Sequence, residues 1–381
     1  MFQFGFRFAA IALLAMTAYA DPAQHPILKI GSSAPDFALP GIDGKVHKLS
    51  DYSASPVLAV LFTCNHCPVA QMYENRIKQL VADYKDRGVA FVAISSNDVN
   101  ALLIGELRHS DTSDTLAEMK IRAVYRHFNF PYLYDGDKQT VADEYGPQAT
   151  PHIFIFDRDR KLQYQGRIDD NRRESLVKTH DARNAIDALL AGKPVPVQNT
   201  PVMGCSTKWK EKESLRAADM EKIAAEPVRL EDASVDDLKK LRQNPTNNYV
   251  LVNLWATWCG PCLGELADLE YTWRMFKSRP FDLVTVSTNL PDEKEGVGKA
   301  LQEQHITSRN LLFASTDTDK VQAIFDPKWA GAVPLTMLIA PGGKVVYEVQ
   351  GDINPLELRR AILAVLPDPE AVGNREYWAT K

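Results

Sequence analysis

At 381 residues the chain is long for a single hydrophobic core, and two domains are the natural expectation. Its make-up, 45% hydrophobic and 24% charged, is that of an ordinary globular protein. A formal net charge of -5, no basic block and no glycine-rich phosphate loop argue against a nucleic-acid partner and against a P-loop nucleotide site.

The first residues read as an export signal. Arg7 supplies a positive charge, Phe8 to Ala20 is almost wholly apolar, and Ala18 and Ala20 fit a small-x-small cleavage site. Residues 1–20 are therefore expected to be a signal peptide, with the apolar run too short for a comfortable membrane span. An uncleaved N-terminal anchor is the alternative. Export would place the five cysteines where disulfides persist.

Lys29 to Leu49 suggests a hairpin turning at Asp43-Gly44. Val57 to Thr63 is a continuous apolar run, short enough for a buried strand. Two cysteines follow, Cys64 and Cys67, in "LFTCNHCPVA". Val69 to Arg87 has helical spacing and stops at Gly88. A strand at Val89 to Ser95, a polar helical region up to Phe128, a strand at Tyr132 to Tyr134 and a short helix near Val141 to Tyr145 come next. "ATPHIFIFD" then opens two strands, His152 to Phe156 and Leu162 to Ile168, and a helix runs to about Leu190. "GKPVPVQNTP", Gly192 to Pro201, is proline-rich and predicts an extended linker. A charged helical segment spans Lys208 to Ala225.

From Tyr249 the pattern restarts. A strand to Ala256 leads into "TWCGPCLGE", with Cys259 and Cys262. A helix to Phe276, a strand at Phe281 to Ser287, a helix at Glu293 to His305, a strand at Leu311 to Ala314 and a short helix near Phe325 follow. "AVPLTMLIAPGGKVVYEVQGD" gives two strands around a Pro341-Gly342-Gly343 turn, and Asn354-Pro355 caps a last helix ending near Leu366. The order strand, cysteine pair, helix, strand, helix, strand, X-Pro, hairpin, helix thus occurs twice, which predicts a duplicated α/β unit. The expected domains are 27–198 and 227–368, with a linker and helical extension at 199–226 and a polar tail at 369–381.

A Cys-x-x-Cys at a strand-to-helix junction suits thiol–disulfide exchange. The helix N-terminus favours a thiolate, which attacks a disulfide, and the second thiol resolves the mixed disulfide. A structural zinc site is the alternative, but both pairs would have to reach one ion. Within "CNHC", His66 is expected to favour the Cys64 thiolate further, making that pair the more oxidising and drawing electrons from the second pair to the first. Two pairs that serve different clients and never meet are the alternative. Cys205 is left over: a third redox thiol, a mixed-disulfide site, or a buried residue. The acidic stretch Glu231 to Asp237 reads as a solvated face.

With "WATWCGPC" on the page, Val252 to Leu269 resembles the thioredoxin superfamily, closest to its exported TlpA/ResA-like branch. The resemblance covers Glu226 to Pro367. It implies a thioredoxin-like fold, a central mixed sheet flanked by helices, with Cys259 as nucleophile, Cys262 as resolver and Glu265 as a buried proton carrier. An ordinary exposed helix glutamate is the alternative for Glu265. It also implies that Pro334 follows a cis bond beside the cysteines, with Pro151 its counterpart in the first half. Such a bond leaves the preceding backbone free to pair with an extended client. Plain strand-start prolines are the alternative.

Lys29 to Trp209 resembles the AhpC/TSA redoxins in "GSSAPDFALPGIDGK", "FTCNHCP", "ATPHIFIFD" and "GRIDDNR", with "GCSTKW" as a C-terminal extension of a peroxiredoxin-like branch. One departure stands out. The Pro-x-x-x-Thr-x-x-Cys pattern of true peroxiredoxins fails from Cys64, where Leu61 and Val57 occupy the Thr and Pro places, and from Cys67, where Cys64 and Val60 do. Together the resemblances imply two tandem thioredoxin-like folds acting on exported protein thiols and disulfides, apocytochromes c among them. They imply an electron donor in the membrane of the DsbD/CcdA type and no organic cofactor, the disulfides themselves carrying the electrons. Copper binding by Cys64, Cys67 and His152, or peroxide reduction, is the alternative for the first half.

Overall fold

The computed structural model describes residues 25–317, 319–368 and 377–378. The expected signal peptide, 1–20, lies outside the described residues, as does all of the 369–381 tail except Tyr377 and Trp378. No helix among the described residues is long and apolar enough to cross a membrane.

The first half is built in chain order from β1 (Ala38–Pro40), β2 (Val46–Lys48), β3 (Val57–Phe62), α1 (Pro68–Tyr84), β4 (Val89–Ser95), α2 (Leu116–Arg126), β5 (Tyr132–Tyr134), α3 (Thr140–Tyr145), β6 (Ala149–Thr150), β7 (His152–Phe156), β8 (Leu162–Gly166), α4 (Asp181–Leu190) and β9 (Cys205–Ser206). Its main sheet has the order β5-β4-β3-β7-β8. The central strand β3 reads VLAVLF and is buried on both faces, which is why it shows no alternation. It runs parallel to β4 and antiparallel to β7. On one face Tyr73, Ile77, Leu80 and Tyr84 of α1 pack with Ala182, Ala185 and Ile186 of α4. On the other lie Val141, Ala142 and Tyr145 of α3, with Trp209. α1 ends where Gly88 adopts φ +83° after a 3-10 turn.

The second half comprises α5 (Glu213–Ala224), β10 (Leu230–Ala233), α6 (Val235–Gln243), β11 (Tyr249–Trp255), α7 (Gly260–Phe276), β12 (Phe281–Ser287), α8 (Lys294–Glu303), β13 (Arg309–Phe313), α9 (Asp319–Phe325), β14 (Leu335–Ile339), β15 (Val345–Gln350) and α10 (Pro355–Val365). Its sheet order, β10-β13-β12-β11-β14-β15, repeats the first with one extra edge strand. This is a mixed sheet flanked by helices, formed twice.

Two expectations need correction, and one gains detail. The acidic stretch Glu231 to Asp237 keeps its carboxylates exposed, as expected of a solvated face, but it is regular structure. It forms β10, paired in parallel with β13, and then α6, whose N-terminus is closed by a Ser234–Asp237 capping box. The linker does not run free. Gln165 donates its N–H to the Gln198 carbonyl at 2.9 Å, Thr200 returns an N–H to Gln165 at 3.1 Å, and Asn199 accepts the Gln165 side-chain amide at 2.9 Å. Polar side chains and backbone offset the low strand propensity of that segment, so the first half extends to Trp209, whose ring stacks on His25 at 3.6 Å. Nor is the tail wholly polar, for Trp378 is buried.

The two halves touch. Leu102, Ile104 and Leu107 join Leu269, Met275, Phe276 and Trp378 in one apolar cluster. Asp111, fully buried, accepts from Arg122 at 2.8 Å on one carboxylate oxygen and from Arg360 of the second half at 2.7 Å on the other. Arg122 also donates to Glu74 at 3.0 Å, and Tyr377 hydrogen-bonds both Glu74 and Arg122. Removing the cation would leave two buried carboxylates with one cationic partner each, Arg360 for Asp111 and Arg126 for Glu74. Arg122→Met is expected to cost about 3–5 kcal/mol in urea unfolding; an unchanged transition midpoint would reject this account of the core.

Candidate functional site

The two cysteine pairs are not in the same frame. In the second half Cys259 is the N-cap of α7, its sulfur accepting the Cys262 N–H at 3.2 Å, with Gly260 and Pro261 forming the first turn. In the first half the N-cap of α1 is Cys67, with Pro68 at the first helical position and the Ala70 N–H pointing at the sulfur at 3.5 Å. Both helices are 17 residues long. The sheet gives the same alignment: Phe62 pairs with His152 and Leu254 with Leu335. One residue further along each register, Thr63 faces Pro151 and Trp255 faces Pro334, and the N-cap sulfur comes four residues later in both. Cys67 therefore matches Cys259, Cys64 matches Ala256, and Ala70 matches Cys262.

That shift explains the different inner dipeptides. Gly260 and Pro261 belong to a helix, whereas Asn65 and His66 belong to the loop before one. Their backbone N–H groups both donate to one oxygen of Asp114, at 2.8 and 3.2 Å. The other oxygen takes His66 Nδ1 at 2.6 Å and the Asn97 amide at 2.8 Å. Asp114 is fully buried. Burial works against its charge, but His66 and these donors hold its carboxyl below the ordinary value. His66 is likewise buried. Desolvation opposes its protonation, yet the Asp114 carboxylate raises its pKa overall.

The thiolate expected at Cys64 is placed instead at Cys67. Burial resists a charge there, but hydrogen bonds from Cys205 and Cys64, the His66 charge and the Ala70 N–H bring the Cys67 pKa well down. Burial, the contact with Cys67 and the nearby Asp114 charge push the Cys64 thiol well up, although Thr150 Oγ1 lies 3.1 Å from its sulfur. In the Cys67 frame the residue three before the sulfur is Cys64, not threonine, so the peroxiredoxin pattern stays broken.

The X-Pro bonds Thr150–Pro151 and Val333–Pro334 are both cis. Each preceding carbonyl approaches its sulfur: Thr150 O is 3.3 Å from Cys67 Sγ, and Val333 O is 3.6 Å from Cys259 Sγ. The two sites then diverge. Cys259 and Cys262 are joined as a disulfide beside Trp258, which is 66% exposed. Over Cys67, β9 pairs antiparallel with β6, setting Cys205 opposite Thr150. All four sulfurs are buried, Cys64 and Cys67 under this cover and Cys259 and Cys262, among the described residues, without one, not open to solvent as a helix-head thiolate would suggest.

Glu265 is buried, three residues after Cys262 on the same face of α7. It accepts from Asn253 at 2.7 Å and from the Ile353 N–H at 3.1 Å, and burial raises its pKa. His152 does not face the cysteines as a free ligand. Its Nδ1 accepts the Gln148 N–H at 3.3 Å, its Nε2 lies 2.7 Å from Gln165 Oε1, and burial lowers its pKa to about 4. With both nitrogens engaged, the copper set Cys64, Cys67 and His152 does not form. Cys64, His66 and Asp114 do bring ligand atoms within 4.8 Å of one another, but Asp114 is committed to the His66 ring.

Sequence reading missed Asp114, Asn97 and the Thr150 hydroxyl. Pro68 was the available signal for the frame, since proline at the first helical position marks the residue before it as the cap. Asp114 sits in a run of cap-type residues whose actual cap is Thr115, and that hides its role. In the Asp114→Asn variant His66 loses the anion that keeps it protonated, so Cys67 loses its cation. Thiolate ultraviolet absorbance, taken as the difference from a Cys67→Ser chain, should titrate at higher pH in this variant; an unmoved curve contradicts the assignment.

A model of the AhpC/TSA family matches residues 30–165 and 223–348. The thiol-disulfide oxidoreductase ResA of Bacillus subtilis is 32% identical over 102 residues, 27% of this chain and 52% of the relative. ResA of Oceanobacillus iheyensis is 29% identical over 102 residues, 27% of this chain and 49% of the relative. The chain thus spans about half the length of these curated relatives. Among solved structures, an uncharacterized conserved protein from Geobacillus kaustophilus is 39% identical, covering 49% of this chain and 94% of its own, with a TM-score of 0.44. A hypothetical protein from Sinorhizobium meliloti is 36% identical, covering 48% and 96%, with a TM-score of 0.43. Matched by the family model in each of two segments that fold as a helix-flanked mixed sheet with a cysteine pair at a helix head, the chain belongs to the AhpC/TSA family, within the thioredoxin superfamily.

Proposed function

We propose that the chain is an exported thiol–disulfide oxidoreductase whose second half exchanges disulfides with exported protein clients. One observation carries this reading: the Cys259–Cys262 disulfide lies on the first turn of α7, its leading sulfur against a helix N–H and beside the Val333 carbonyl. The names of the ResA relatives point the same way.

Reduced Cys259 would attack one sulfur of a client disulfide and release the other as a thiolate. Cys262 would then attack the mixed disulfide, freeing the client dithiol and closing Cys259–Cys262. Two electrons pass from enzyme to client. Glu265, buried on the same helix face with a raised pKa, takes the proton that Cys262 must lose. Exposed Trp258 supplies an apolar contact for the client beside the reacting sulfur. Apocytochrome c thiols fit as clients, a membrane dithiol carrier of the DsbD/CcdA type fits as the donor, and electrons pass on from the second half to the first.

Insulin reduction with dithiothreitol as donor tests this. The double variant Cys259→Ser, Cys262→Ser should lose nearly all turnover, while Cys64→Ser, Cys67→Ser, altering a covered pair, should retain most of it. The opposite ranking sinks the reading. Glu265→Gln should slow client reduction on the order of 100-fold with the fold intact. A rate equal to that of the parent would reduce Glu265 to a packing residue.

A further inference from the structure

The first half carries a feature that, among the described residues, its counterpart lacks. The backbone edge beside Cys67 is already paired with the chain's own β9. Thr150 stands opposite Cys205, the Cys205 N–H points at Cys67 Sγ at 3.3 Å, and Thr150 O lies 3.3 Å from the same sulfur. An extended segment held antiparallel to the residue before the cis proline, with its cysteine against the helix-cap sulfur, occupies the place of a client strand.

The approach is built in. Gly204 has φ +153°, and a Cβ there would sit 1.9 Å from Thr150 O, so only glycine admits β9 at this distance. The segment is tied on both sides. Upstream, Gln198 to Thr200 pair with Gln165. Downstream, Thr207 Oγ1 donates to Pro147 O at 2.7 Å and Lys208 N to Asn97 Oδ1 at 2.9 Å. These ties hold the strand without help from a sulfur, so the cysteine at 205 is not needed for docking. It is also the most exposed of the three: Cys64 is 4% and Cys67 0% exposed, whereas Cys205 is half-buried.

We propose that Cys205 is the outward-facing thiol of a three-sulfur relay, with Cys67 passing a disulfide between Cys64 and Cys205. This rests on the reading of the first pair as a redox centre. In the oxidised centre Cys64 and Cys67 share a disulfide. Cys205 gives up its proton as its sulfur attacks Cys67 Sγ; the Cys67–Cys64 bond breaks, the Cys67–Cys205 bond forms, and Cys64 leaves as a thiolate that takes up that proton. No electrons are gained or lost in that step. An external dithiol then attacks Cys205, releasing Cys67 as the thiolate its surroundings favour, and its second thiol frees Cys205. The external pair ends as a disulfide and all three protein thiols are reduced.

Disulfide mapping of the full chain tests this in a Cys259→Ser, Cys262→Ser background, after oxidation by diamide and alkylation of the remaining thiols. With Cys64→Ser added, a Cys67–Cys205 cross-linked peptide should form within one chain, with loss of two titratable thiols. Cys64→Ala provides a second version should the serine disturb packing. Two thiols left free, or cross-links only between chains, overturn the relay. In the same background with Cys64 intact, Cys205→Ser should keep the Cys64–Cys67 disulfide but slow its reduction by dithiothreitol roughly tenfold. An unchanged rate also overturns the relay. If Cys64–Cys67 forms readily while Cys67–Cys205 never does, the relay fails and the redox reading of the first pair stands. If neither link forms with all three thiols present, both fail.

Discussion

Everything at the two sites depends on a sulfur that caps a helix. The first N–H groups of a helix have no carbonyl to bond, and the aligned peptide dipoles leave partial positive charge there. Cys259 and Cys67 both use their side chains as that missing acceptor, on helices of equal length that pack their other turns into the core. The same contact that ends the strand-to-helix turn thus favours the anionic sulfur. Structure and reactivity cannot be separated at this point, because the cap that starts the helix is also the group proposed to react.

Around that shared cap the two halves solve the electrostatics differently. The second half uses a short, neutral Gly-Pro turn and keeps its carboxylate, Glu265, one turn further along the helix, in contact with Asn253 and the Ile353 N–H. The first half moves its second sulfur out of the helix into the preceding loop. Such a loop needs an anchor, and Asp114 provides it through two backbone N–H groups. A buried carboxylate in turn needs a counter-charge, and His66 supplies it at 2.6 Å. The histidine between the cysteines therefore has two linked roles. It neutralises Asp114 and lends positive charge to Cys67, and neither would hold with His66 neutral.

Much of this was legible in the chain. Apolar runs without alternation gave the central strands β3, β4, β11 and β12 to within a residue, because a strand buried on both faces has no polar side to interrupt it. Asn354-Pro355 gave the start of α10, and both X-Pro bonds stand where they were expected. What escaped had physical reasons. β10 is an edge strand carrying Glu231 and Asp232, whose charges suit an exposed edge and mask the strand pattern. The identical Cys-x-x-Cys spacing concealed a three-residue shift that only strand register or the position of Pro68 discloses. Asp114 is 50 residues from Cys64 along the chain, and no local pattern marks a long-range anchor. The proline-rich segment looked like a spacer because its strand-like pairing comes from Gln198, Asn199 and Thr200 rather than from β-branched apolar residues.

The duplicated fold also shows how one backbone slot can serve opposite ends. A short edge beside a cis proline presents unpaired backbone groups next to a reactive sulfur, and unpaired edges invite strands. The second half leaves exposed Trp258 beside its helix-cap sulfur. The first half fills its slot from within, through Gly204 and the ties on either side of it. An in-chain strand pays no translational cost to bind, so any outside strand must outcompete a segment held at high effective concentration. Access to Cys67 is therefore decided less by the chemistry of that sulfur than by how firmly residues 198–209 are held.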